Sequence, residues 1–147
     1  MKLQTASAVI SFAKRLEEET AQFYQHLSQK YAEGKDIFLS FAKENGKNAV
    51  QIERAYYGVV TDAIESCFAF DMESDAYTVE TALAENASYT DALDKAIDLE
   101  EKIGGFYSDA AEQSKALMAD VPRTFMLIVK KRAKRGQELR SLLGERR

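Results

Sequence analysis

Tryptophan is absent from this 147-residue chain, and cysteine, histidine and proline occur once each, as Cys67, His26 and Pro122. A lone cysteine excludes an intrachain disulfide and any site built on a CxxC pair, such as a zinc ribbon or a rubredoxin-type iron site. One histidine cannot furnish the two or more imidazoles that many iron, zinc and copper centres use. With one proline and only seven glycines, little interrupts the backbone, which favours long helices. No apolar run approaches the roughly 18 residues that span a bilayer. The N-terminal MKLQTASAVISFAKRLEEE turns acidic and amphipathic where a secretion signal stays apolar, so the expected location is the cytoplasm. No P-loop, Gly-rich nucleotide loop, nucleophile elbow or Ser-His-Asp set is present.

What is there is the composition of one globular domain over residues 1–147, with 46% hydrophobic and 30% charged residues. The net charge of −4 is unevenly spread. Residues 123–147 carry nine Lys/Arg against two Glu, a balance of +7, which leaves −11 for the rest. A basic end of this kind is ordinarily a solvated helix face with favourable charge near a helix C-terminus.

Apolar residues spaced three and four apart predict four helices and an all-α fold. Helix 1 is expected over residues 6–31, with Phe12, Ala13, Leu16, Thr20, Phe23, Tyr24, Leu27 and Tyr31 inward. Gly34 stands in a short turn, and helix 2 follows over residues 36–63 with Phe38, Phe41, Ala42, Ala49, Ile52, Tyr56 and Val59 inward. So short a loop makes an antiparallel hairpin. Residues 64–88 break the pattern and read as a long crossover, with 77–85 a candidate short helix. The crossover is long enough to travel back along the bundle and start helix 3 near the end where helix 1 starts. Helix 3 is expected from an N-cap at Ser88 or Thr90 to about residue 119, and helix 4 from Pro122 to about Leu143 or Gly144.

The two hairpins resemble each other. LEEETAQFYQHLSQ at 16–29 matches LEEKIGGFYSDAAE at 99–112, and FLSFAKENGKNAVQIE at 38–53 matches FMLIVKKRAKRGQELR at 125–140 more loosely. A duplicated hairpin accounts for this. Each of the four apolar stripes is also interrupted at about mid-length. Glu17 interrupts helix 1 and Glu100 helix 3, Asn45 and Asn48 interrupt helix 2, and Arg132 and Arg135 interrupt helix 4 between Ile128 and Leu139.

This pattern resembles the ferritin-like superfamily and, within it, the rubrerythrin-like four-helix domain. The resemblance rests on Leu16-Glu17-Glu18 with Phe23-Tyr24, on Leu99-Glu100-Glu101 with Phe106-Tyr107, on Phe41-Ala42-Lys43-Glu44, and on the run from Ala87 to Leu93. It implies a bundle of two hairpins joined by one crossover, in which helices 1 and 3 each give one glutamate and helices 2 and 4 each give a Glu-x-x-His pair to two iron ions. Glu17 and Glu100 match the single-glutamate positions. Asn45, Asn48, Arg132 and Arg135 stand where the other four ligands belong. A guanidinium stays protonated and has no lone pair for a metal. Two buried carboxylates need compensating positive charge, and Arg132 with Arg135 can supply what iron supplies in such relatives, with the asparagines filling the leftover hydrogen bonds.

The expected function is therefore a non-catalytic ferritin-like protein, structural, regulatory or partner-binding, with no cofactor. The alternative implied by the resemblance is a rubrerythrin-type iron oxidoreductase that reduces peroxide. A shifted helix 2 would bring Glu44 inward beside Glu17 and Glu100, a set that could hold one metal weakly. His26 falls off the stripe and reads as a surface residue, the tyrosines as core rings with polar tips, and Cys67 as a buried filler. Lys130, Lys131, Lys134, Arg140, Arg146 and Arg147 could meet an anionic surface, but no groove-reading motif accompanies them, which argues against nucleic acid. A homodimer is expected, as the resemblance suggests and as Tyr56, Tyr57, Val59 and Val60 on helix 2 with Phe68 and Phe70 outside it would support.

Overall fold

A computed structural model describes residues 1–59, 70–115 and 120–146. Four long helices carry the structure: α1 at Ala6–Lys30, α2 at Lys35–Val59, α3 at Tyr89–Ser114 and α4 at Asp120–Glu145. Thr5 caps α1 by accepting from the Ala8 amide at 3.1 Å. Ser88 caps α3 in a full capping box, in which Asp91 returns the bond to the Ser88 amide. A 3₁₀ turn at Ala32–Gly34 joins α1 to α2. A Cβ on Gly34 would come within 2.7 Å of the Phe38 ring and 2.9 Å of the Tyr89 hydroxyl, so the tight turn requires glycine.

Helix α1 packs on α2, α3 on α4, and the hairpins meet chiefly along α2 and α4. The expected stripe of α1 is buried throughout, as are Phe38, Phe41, Ile52 and Tyr56 of α2 and Phe125, Ile128 and Leu139 of α4. Ala49 is half-buried, and the side chain of Val59 lies outside the described residues. No helix among the described residues is long and apolar enough to cross a membrane.

The crossover differs from expectation in three ways. Residues 77–85 are not helical; a 3₁₀ turn at Ser74–Ala76 leads into chain without regular secondary structure. β-Branched Thr78, Val79 and Thr81 lower the helix propensity there. Backbone carbonyls that a helix would satisfy are taken by lysines: Lys102 reaches Thr78 at 3.0 Å, and Lys30 reaches Ala84 and Glu85.

Secondly, α3 starts beside the end of α1, not its beginning. The Tyr31 hydroxyl donates to the Ala87 carbonyl at 2.6 Å, and the Tyr31 and Tyr89 rings stand 5.8 Å apart. Helix α2 returns to the end where α1 starts, so a crossover that runs the length of the bundle must arrive at the opposite end.

Thirdly, Phe70 is buried rather than outside. Its amide donates to the Gln4 carbonyl at 3.0 Å. Next to it a two-residue antiparallel ladder, unsignalled in the sequence, pairs β1 (Lys2–Leu3) with β2 (Met72–Glu73) and buries Leu3 and Met72. Val60, Cys67 and Phe68 lie outside the described residues.

Candidate functional site

The four interruptions of the helical stripes meet in one buried polar centre. Glu17, Asn45, Asn48, Glu100, Arg132 and Arg135 are each 2% exposed or less. The register expected for α4 therefore holds, and both guanidinium groups point into the bundle.

Every carboxylate oxygen in this centre is engaged. Glu17 Oε1 accepts from Asn45 Nδ2 at 3.0 Å and Asn48 Nδ2 at 2.9 Å. Glu17 Oε2 accepts from the Tyr107 hydroxyl at 2.7 Å and from Arg132 Nη2. Arg132 Nη1 donates to both oxygens of Glu100 at 2.9 Å. Glu100 Oε2 also accepts from the Tyr24 hydroxyl and, at 3.4 Å, from Arg135 Nη1. Arg135 spends its remaining donors on Glu44 Oε1 at 2.9 Å, Asn45 Oδ1 at 3.3 Å and the Phe41 carbonyl at 2.9 Å. Its guanidinium lies over the Phe41 ring, 4.9 Å from the centroid. Among the described residues Arg132 Nε has no hydrogen-bond partner.

Thr20 and Lys131 complete the edge. Thr20 Oγ1 donates to the Leu16 carbonyl at 2.7 Å and accepts from Asn45 at 2.9 Å. Lys131 Nζ donates to Asn48 Oδ1 at 3.2 Å and Gln51 Oε1 at 3.1 Å. The fully buried charges, two carboxylates and two guanidiniums, sum to zero. Glu44, with a side chain 35% exposed, and Lys131 add one charge of each sign at the rim.

The electrostatics follow from this packing. Burial alone pushes the Glu17 carboxyl up, but the Arg132 charge and the hydrogen bonds from Tyr107, Arg132 and Asn48 outweigh it, so Glu17 is held below its ordinary value. Burial also works against the Arg132 charge, yet Glu100 and Glu17 hold it well above its ordinary value. Burial, then the neighbouring carboxylate, pushes both tyrosines well above theirs: Tyr24 beside Glu100 and Tyr107 beside Glu17.

The two hairpins contribute in a crossed manner. Tyr24 of α1 serves Glu100 of α3, and Tyr107 of α3 serves Glu17 of α1. Each tyrosine follows the glutamate of its own helix by seven residues and lies on the same face. That spacing was visible in the sequence, but it marked only ring burial. The same duplication gives two clefts of about 300 Å³. One is lined by Glu17, Ala21, Asn45 and Gly46, the other by their counterparts Glu100, Gly104, Arg132 and Ala133.

The donor set does not fit a di-iron centre. Guanidinium groups stand against both inner carboxylates, and the amide nitrogens of Asn45 and Asn48 point their protons at Glu17. Glu44 turns to Arg135 instead of joining Glu17 and Glu100. Among the described residues no three His, Cys, Asp or Glu side chains are grouped so as to hold a metal ion. His26 is exposed, as its place off the stripe implies. Of the basic residues near the C-terminus, Arg140 pairs with Glu101 and Arg146 lies over the Tyr89 ring.

No protein-family model matches the chain, and no curated protein matches it. Among solved structures it is similar to a Thermotoga maritima protein assigned as ferritin-like and diiron-carboxylate. The TM-score is 0.78 and the identity 21%, over 99% of this chain and 98% of that one. That likeness is one of fold and spans both helical hairpins, and the chain has the ferritin-like fold.

Proposed function

We propose that the chain is a non-catalytic relative of the rubrerythrin-like proteins, in which a buried Glu/Arg/Asn network takes the place of the di-iron centre. Its role is structural, regulatory or partner-binding, in the cytoplasm, and it needs no cofactor. One observation carries this reading: a single guanidinium, that of Arg132, donates to both Glu17 and Glu100. Those are the two carboxylates that, on the resemblance, would face the iron pair.

A divalent ion brought between Glu17 and Glu100 would have to displace Arg132, and its charge would then meet two fixed cations in a medium that screens them poorly. The arginine cannot shed its proton to make room. The peroxide-reducing alternative requires the iron that this arrangement repels.

The test is metal analysis of protein purified after growth in iron-replete medium, with a peroxidase assay on the same sample. The expected result is iron far below stoichiometry and no peroxide reduction. Two iron atoms per chain that resist mild chelation would overturn the reading.

A further inference from the structure

Gly46 sits inside α2 (Lys35–Val59), where glycine is destabilising relative to alanine. A Cβ there would meet nothing within 4 Å, so packing within the chain does not require its absence. What the glycine changes is its neighbour. Asn45 precedes it in the sequence, and the Asn45 side chain belongs to the polar centre.

An asparagine followed by glycine leaves its side-chain amide open to attack by the chain itself. The Gly46 backbone nitrogen, stripped of its proton by hydroxide, adds to Asn45 Cγ. A C–N bond forms, the Cγ–Nδ2 bond breaks, and ammonia leaves with a proton from water. Water then opens the cyclic imide to aspartate, or to isoaspartate, in which the main chain runs through the former side chain. Nothing is oxidised or reduced. A Cβ on the second residue crowds the attacking nitrogen, so Asn48, followed by Ala49, is the less reactive of the two asparagines in the centre.

The folded bundle closes this route in two ways. A helical ψ of about −42° holds the Gly46 nitrogen out of line with Asn45 Cγ, and the helical ladder occupies its N–H. The side-chain amide is also buried and held at both ends. Asn45 Nδ2 donates to Glu17 Oε1 at 3.0 Å and Thr20 Oγ1 at 2.9 Å, and Oδ1 accepts from Arg135 at 3.3 Å. The product, in contrast, fits badly. An acid at this position faces Glu17 and sets three buried carboxylates against two guanidiniums. It also loses the protons that Asn45 gives Glu17 and Thr20. Isoaspartate adds a methylene to the backbone of α2.

We propose that Asn45–Gly46 is a latent self-modification site, shut while the bundle is folded and active once it opens, whose product bars the chain from re-forming the polar centre. Opening then becomes irreversible with time. The site depends on the Asn-Gly pair and the hydrogen bonds of Asn45, whatever the role of the chain.

The test holds the full chain at mildly alkaline pH, one sample native and one unfolded in guanidinium chloride, and follows Asn45 by peptide mass mapping over days. Each sample is returned to native buffer at intervals, and recovered helix is read by circular dichroism. In the unfolded sample Asn45 should become an acid well before Asn48, and the share of chains that regain helix should fall in step. The native sample should keep its amide. Gly46→Ala should slow the conversion and the loss of refolding together. Asn45→Asp, made directly, should unfold at lower denaturant than the wild type at neutral pH. Conversion as fast in the native sample as in the unfolded one overturns the proposal. So does an Asn45→Asp midpoint equal to that of the wild type, or a Gly46→Ala chain that loses its amide at the wild-type rate.

Discussion

Arg132 Nη1 stands 2.9 Å from both oxygens of Glu100, while Nη2 of the same guanidinium reaches Glu17. Arg132 comes from α4, Glu100 from α3 and Glu17 from α1, so one side chain fastens three helices. Asn45 and Asn48 attach α2 to the same carboxylate of Glu17. The centre thus fixes how the four helices are rotated about their axes, since a one-residue turn of α1, α3 or α4 would unbalance the buried charges and a turn of α2 would strip two hydrogen bonds from Glu17.

Arg132→Ala is expected to lower stability by about 3–5 kcal/mol, because it leaves the buried Glu17 carboxylate without a counter-charge. Arg132→Leu combined with Glu17→Leu should cost much less than either change alone, since Glu100 keeps Tyr24 and Arg135. Urea unfolding of the singles and the double at neutral pH decides this. If the single substitutions are silent, the arginine does not carry the centre.

Tyr107→Phe is expected to cost about 1.5–3 kcal/mol, the range for a hydrogen bond to a charged group. The ring stays packed against Phe106 and Phe125, so the loss isolates the hydroxyl bond to Glu17. Tyr24→Phe should behave alike at Glu100. A double-mutant cycle of Tyr107→Phe with Glu17→Gln measures the coupling, and a coupling near zero contradicts the bond.

Much of this was legible in the sequence, and the reason lies in periodicity. Phe125, Ile128, Leu139 and Leu142 pinned the register of α4, which placed Arg132 and Arg135 inward, and the hairpin repeat placed Glu100 by analogy with Glu17. The crossover was not legible in the same way. Its course is set by contacts far apart in the chain, such as Tyr31 with Ala87 and Phe70 with Gln4, which leave no periodic trace. Residues 77–85 were misread because lysines on α1 and α3 satisfy the backbone there. The partners of the two tyrosines were hidden because a ring with a polar tip looks the same in a sequence whichever carboxylate it meets.

Acid should weaken the fold through Glu17. Its folded value lies below the ordinary 4.5, so the stabilisation it provides is present above that value and is lost as pH falls through the lower folded one. Glu17→Gln should be less stable at neutral pH and should show a flatter fall on acidification. Urea midpoints taken from neutral to acidic pH check the sign. A Glu17→Gln profile parallel to that of the wild type removes Glu17 from the acid transition.

Alkali should act through Tyr24 and Tyr107, with the opposite sign. Both folded values lie well above the ordinary 10.0, for burial and a facing carboxylate each oppose a phenolate. The folded state therefore holds its two phenolic protons where an unfolded chain would lose them. Stability is present in full below about pH 10 and falls as pH rises toward the folded values. Tyr24 and Tyr107 should stay protonated until the helices melt. The last rise in tyrosinate absorbance is then expected to coincide with loss of helical circular dichroism. Replacing both by phenylalanine removes two hydroxyl bonds, so the variant starts less stable, but its further loss above pH 10 should be shallower. If the wild type ionises all seven tyrosines before any helix is lost, neither hydroxyl is sealed against its glutamate.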